Sequence, residues 1–292
     1  MNFQGMKTLL VVCVVLSGCL LAAGCTGQEV APSAETVVIG IGPWGTAYAS
    51  GYVVKDVLEE GGYNVEMKFV DIGVVFQGVA DGSLDCYLDA WVPSCHEQYM
   101  AKYGDRFETL GYNMEGTRIG MVVPSYVPVD SIADLPEYVD EFDGMIISIE
   151  PGSGTVRMSE EGLDVYDLEG YEVVTGSEVG MLAELKGAVQ NEEWIVVTLW
   201  TPHWAFTRWD ITYLDDPELL YGPEEYIATI ARFGLEEDNP GAYGILERFH
   251  WEPADMEYVM YKVDQDGLTD EEAAADWIEN NRDKVDVWLG NA

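Results

Sequence analysis

Short β-rich runs alternate with amphipathic stretches along this chain, in two successive series, and that alternation constrains its fold more than any other feature. The first series is TVVIGI from Thr36, a helix-like stretch over 47–60, NVEMKFV from Asn64, a second helix over 74–81, and LDCYLDA from Leu84. The second runs through RIGMVV from Arg118, MIISIE from Met145, a helix over 153–164, YEVVT from Tyr171, a helix over 178–190, and WIVVTLW from Trp194. Strands interleaved with helices predict an α/β fold. After YIATIA from Tyr226 the pattern predicts helices over 240–249, 253–263 and 270–281, the last with Thr269 as N-cap. Two series in 292 residues imply two lobes, 36–117 plus 231–292 and 118–230. The chain is expected to cross to the second lobe near 116–123 and to return near 226–231.

The N-terminus reads as an export signal. Lys7 precedes an uncharged run over 8–24 that ends Leu21-Ala22-Ala23-Gly24-Cys25. The run is short and rich in small residues for a membrane span. Small residues directly before a cysteine resemble the lipobox of exported lipoproteins, so 1–25 is expected to be a signal peptide and Cys25 the lipidated residue. An uncleaved anchor would leave the same domain outside the same membrane. Met1 to Gly5 precede a more natural start at Met6-Lys7 and are read as an appended remnant or an upstream start. Residues 26–35 lack apolar periodicity and read as a tether. Beyond the signal only Cys86 and Cys95 remain, and outside the cell they could pair.

Charge narrows the function. The 14 Lys+Arg against 53 Asp+Glu give a formal net charge of −39, which excludes a nucleic-acid binder working through a basic surface. The acids are spread along the chain, as on a globular surface suited to a high-salt medium.

Four unusual clusters each follow a predicted strand: Gly42-Pro43-Trp44-Gly45, Trp91-Val92-Pro93 with His96, Pro151-Gly152-Ser153-Gly154-Thr155, and Trp200-Thr201-Pro202-His203-Trp204. In open α/β sheets the carboxyl ends of strands face the ligand crevice, so two clusters per lobe can converge across one cleft. Converging indole faces suit a permanent cation, which the ring quadrupole attracts without a directed proton. The turn at 151–155 opens a predicted helix whose N–H groups can take a carboxylate. Together these describe a site for a zwitterion. Trp204, Trp209, Trp251, Trp277 and Trp288 lie in helical or loop contexts and read as packing residues.

Other chemistries fit less well. Gly40-Ile41-Gly42-Pro43-Trp44-Gly45 matches G-x-G-x-x-G in form, but Pro43 and Trp44 crowd the turn where a pyrophosphate needs close backbone approach. Cys86, Cys95 and His96 match no closed zinc spacing. No G-x-S-x-G elbow or H-E-x-x-H helix is present. No catalytic residue, metal or cofactor is expected. An exported carbohydrate-active enzyme, stacking sugars on the Trp faces, and a sensor module of the same fold are the rival readings.

Asp89-Ala90-Trp91-Val92-Pro93 with His96, Ile149-Glu150-Pro151-Gly152-Ser153-Gly154, and Leu199-Trp200-Thr201-Pro202-His203-Trp204 resemble the substrate-binding lipoproteins of ABC importers for glycine betaine and related osmolytes, the OpuAC-like family. The resemblance covers nearly all of 36–289. It implies a two-lobed, type II periplasmic-binding-protein-like fold with the ligand in the interlobe cleft, lipid-anchored outside the cell and read by a membrane permease. It implies that Trp44, Trp91 and Trp200 box a trimethylammonium group, with Tyr48 an alternative third wall. It also implies that His96 and the amides of Gly154 and Thr155 take the carboxylate. Glycine betaine is the implied ligand; choline, carnitine and proline betaine present a similar head.

Overall fold

The computed structural model describes residues 35–291. The signal peptide, the lipidation site at Cys25 and all but the last residue of the tether lie outside them. In chain order the elements of the first series are β1 (Thr36–Ile41), α1 (Gly45–Glu60), β2 (Asn64–Phe69), α2 (Ile72–Asp81), β3 (Cys86–Val92), α3 (Glu97–Tyr103) and the long β4 (Phe107–Pro124). A 3-10 turn (Ile132–Tyr138) leads to β5 (Met145–Ile147), α4 (Gly154–Val165), β6 (Glu172–Val174), α5 (Glu178–Asn191), β7 (Val197–Thr201), α6 (Ala205–Arg208) and β8 (Ile211–Tyr213). Then come β9 (Glu225–Arg232), α7 (Leu235–Asp238), α8 (Pro240–Arg248), α9 (Pro253–Asp264), α10 (Asp270–Asn280) and α11 (Arg282–Trp288).

The strands join in the order β2-β1-β3-β9-β4-β7-β5-β6, with β8 beside β4. β4 is the shared member. Its residues 107–117 pair with β9, whereas Arg118 to Val122 pair with β7 and Val122 to Pro124 with β8. The chain thus enters the second half of the sheet inside one continuous strand. β9 pairs along its length with β3 and with the first part of β4. β1, β2 and β3 are mutually parallel in the first half, and β5, β6 and β7 in the second.

Each half buries both faces of one central strand, β3 in the first and β7 in the second. All seven residues of β3 are buried, as parallel strands covered on both sides require. The C-terminal helices close over the first half: Trp277 stacks on Trp288 at 5.5 Å and meets Trp251 edge-on at 5.8 Å. Thr269 caps α10 through a capping box with Glu272. Cys86 and Cys95 are free and buried. Among the described residues no helix is long and apolar enough to cross a membrane.

Candidate functional site: an aromatic cavity between the two halves of the sheet

Strands β1, β3, β5 and β7 all end at one cavity of about 300 Å³, mouth included, whose walls are Trp44, Thr46, Trp91, Cys95, His96, Ile119, Ile149, Ser153, Thr155 and Trp200. The three expected tryptophans meet there, two from the first half of the sheet and one from the second. Tyr48 is not on the wall; it packs edge-on against Phe69 at 5.8 Å.

Local structure aims each ring. Trp44 is the residue before α1, and Gly42 leaves room for its ring: a Cβ there would stand 3.0 Å from Cζ2 of the indole. Trp91 is the penultimate residue of β3 and Trp200 that of β7. One carboxylate fixes two of the three. Asp89 Oδ2 accepts from Trp44 Nε1 at 2.7 Å and from Thr46 Oγ1 at 3.0 Å, while Oδ1 accepts from Trp91 Nε1 at 2.9 Å. Asp89 is fully buried, and burial pushes its carboxyl up to about 7 against the downward pull of those three donors. Trp200 lies edge-on to His203 at 5.3 Å, and its Nε1 has no hydrogen-bond partner among the described residues.

His96 stands on the same wall with a defined tautomer. Its Nδ1 accepts from the backbone N–H of Trp91 at 2.9 Å, so a neutral ring carries its proton on Nε2. Burial, and then the nearby Arg157 guanidinium, lower its pKa to about 3, which keeps the ring neutral. It is a donor without charge. Across the cleft, Ser153 caps α4 by accepting from Val156 N, and the amides of Gly154 and Thr155 open the helix. Thr155 is on the wall. Gly154 is not, and it packs against the other half: a Cβ on it would lie 1.7 Å from the Cys95 carbonyl oxygen.

Further bonds join the halves. Gly45 N–H at the start of α1 donates to Glu178 Oε2 on α5 at 2.8 Å, and Glu178 Oε1 bonds His203 Nε2 at 3.0 Å. The Tyr99 hydroxyl donates to Gly152 O at 2.7 Å, and Arg157 Nη2 donates to Ser94 O at 2.9 Å. Asp89, Thr46 and Glu178 carry these arrangements, and sequence reasoning gave them no role. The available signal was Asp89 itself, an acid inside an apolar strand two residues before a tryptophan, because acids in such positions are paired or hydrogen-bonded.

Residues 35–280 match the OpuAC family, the substrate binding domain of an ABC-type glycine betaine transport system. The glycine betaine/carnitine transport binding protein GbuC of Listeria monocytogenes serotype 1/2a (strain 10403S) is 42% identical over 163 residues, 55% of this chain and 53% of that protein. The match therefore spans about half the length of that relative. Lactococcal OpuAC, in its closed-liganded conformation complexed with glycine betaine, superposes with a TM-score of 0.84 and 39% identity, covering 87% of this chain and 99% of that one. An ABC-transporter choline binding protein in complex with choline gives a TM-score of 0.83 and 27% identity over 88% of this chain and 92% of that one.

Proposed function

The chain belongs to the family of substrate binding domains of ABC-type glycine betaine transport systems and shares their type II periplasmic-binding-protein-like fold, and from that premise we propose that it captures glycine betaine outside the cell and delivers it to an ABC importer permease. The observation that carries this reading is the cavity: Trp44, Trp91 and Trp200 from both halves of the sheet surround one space that also holds a neutral His96 and the start of α4. Indole faces attract the trimethylammonium head. His96 Nε2–H and the Gly154 and Thr155 amides supply donors for the carboxylate. The two halves of the sheet act as lobes that close on the ligand, and the bonds from Gly45 to Glu178 and from Tyr99 to Gly152 belong to the closed state. Cys25 carries the lipid that tethers the domain to the outer face of the membrane, and the acidic surface suits a halophilic setting in which an osmolyte importer works.

Choline is the second reading, because a choline binding protein shares the fold and choline shares the trimethylammonium head. Calorimetry against glycine betaine, choline, carnitine and proline betaine separates them. Tightest binding of glycine betaine supports the proposal. Tightest binding of choline supports the second reading, and failure of every quaternary ammonium compound to bind overturns both.

A further inference from the structure

Asp89 is fully buried in the middle of β3, and no Lys, Arg or His forms an ion pair with it among the described residues. All three of its partners are donors: the two indole N–H groups and the Thr46 hydroxyl. An indole N–H can only donate, so the pattern suits an acceptor-only carboxylate. A buried carboxylate without a counter-ion is costly. The place for that counter-ion is on the page, since both indoles that Asp89 holds also wall the cavity.

We propose that Asp89 is a positioning residue that sets the cavity's preference for a cationic head over a neutral head of the same shape. It acts in two ways, of which the second discriminates by charge. One carboxylate locks the ring after β1 and the ring on β3 in a fixed mutual orientation, so two faces of the box form without ligand. The negative charge behind the rings polarises both N–H bonds and gives an arriving permanent cation its counter-charge through the indoles. Trp200, whose Nε1 has no such partner, contributes a face without this support. The inference rests on the cavity being a quaternary ammonium site.

The test pairs glycine betaine with 3,3-dimethylbutanoate, the same molecule with carbon in place of nitrogen, on wild type and Asp89→Asn. The Asn side chain keeps the shape, removes the charge and keeps one of the two acceptor oxygens, so one indole loses its partner for both ligands alike. The preference of wild type for glycine betaine over the carbon isostere should fall by about tenfold in Asp89→Asn, over and above any loss the two ligands share. Equal loss for both ligands, or no loss, overturns the proposal and leaves Asp89 a structural prop. Should the variant fail to fold, the wild type carries the test through the indole proton resonances of Trp44 and Trp91. Glycine betaine should move both downfield, because a cation on the ring makes its N–H a stronger donor to Asp89, and the isostere should not. The same shifts with both ligands would overturn the proposal. Wild type that binds no quaternary ammonium compound is a different failure, that of the functional reading itself, and shows before any variant is made.

Discussion

At the scale of single residues, the site divides into groups that act by type and groups that act by partner. Trp91 and Trp200 act by type. Replacing either by Ala should weaken glycine betaine by about 1 to 3 kcal/mol, with Phe losing less, measured by calorimetry. In the proposed site His96 is the group that would meet the other end of the ligand: with Nδ1 engaged by the Trp91 amide, its Nε2–H is left as the donor. A two-by-two titration of wild type and His96→Ala should show at least about a tenfold greater loss for glycine betaine than for choline, since only betaine offers a carboxylate to a charge-assisted bond. Equal losses would assign His96 to the loop alone. The pH dependence belongs to Asp89. Its carboxyl is raised to about 7, a bound cation favours the ionised form, and so affinity should fall as pH drops below 7 and level off above it. The titratable groups around it do not imitate this: Tyr87 and Cys95 are pushed up by burial and stay neutral, and His96 stays neutral above about 3. The Glu178 carboxylate nearby helps to raise the Asp89 carboxyl. A flat profile from pH 5 to 9 would contradict this dependence. The convergence of the three tryptophans and His96 on one cavity was legible because few such residues exist and each follows a predicted strand. The bonds that Asp89 makes to two of those rings were not, because 53 acids make any one uninformative until burial singles it out.

At the scale of elements, periodicity located most of the fold and missed what is short or half-polar. The helices expected over 47–60, 178–190 and 270–281 lie within a residue or two of α1, α5 and α10. The first part of β4, FETLGYNMEGT, has an irregular burial pattern, with shifts in its register against β9, and gave no alternation to read. α3 and α11, seven residues each, offer too few turns for a periodic signal. α1 shows how an element depends on a distant one. Its cap residue, Trp44, has no oxygen to offer, and the carboxylate that accepts from Gly45 N–H comes from Glu178 at the start of α5. A carboxylate at a helix N-terminus satisfies an orphan donor and complements the dipole. His203 holds that carboxylate; its Nδ1 accepts from Ala205 N–H, which leaves Nε2–H to donate to Glu178. Glu178→Ala should weaken glycine betaine by about 1 kcal/mol, mainly through faster release, because it loosens the helix start that carries Trp44. Stopped-flow dissociation that matches wild type would show the contact to be incidental.

At the scale of the molecule, the two halves of the sheet meet through backbone as well as side chains, and one glycine decides how near they come. Gly154, first residue of α4, faces the carbonyl oxygen of Cys95, which follows β3 in the other half; a Cβ on Gly154 would stand 1.7 Å from that oxygen. No rotamer relieves this, because both groups are fixed to backbone. The sequence pointed to Gly154 only as part of a helix start expected to take a carboxylate and could not show this second demand, which exists only once the halves are together. Gly154→Ala should therefore hold the lobes apart while leaving each half folded, since the helix start itself accepts alanine. The tryptophans of the two halves would then no longer share one space, and glycine betaine affinity should fall by more than for loss of either Trp91 or Trp200 alone. Small-angle scattering separates this from unfolding. Wild type should compact when glycine betaine is added, and Gly154→Ala should keep its ligand-free radius of gyration while its circular dichroism matches wild type. Compaction of the alanine variant at wild-type ligand concentrations would mean that the halves close without this contact.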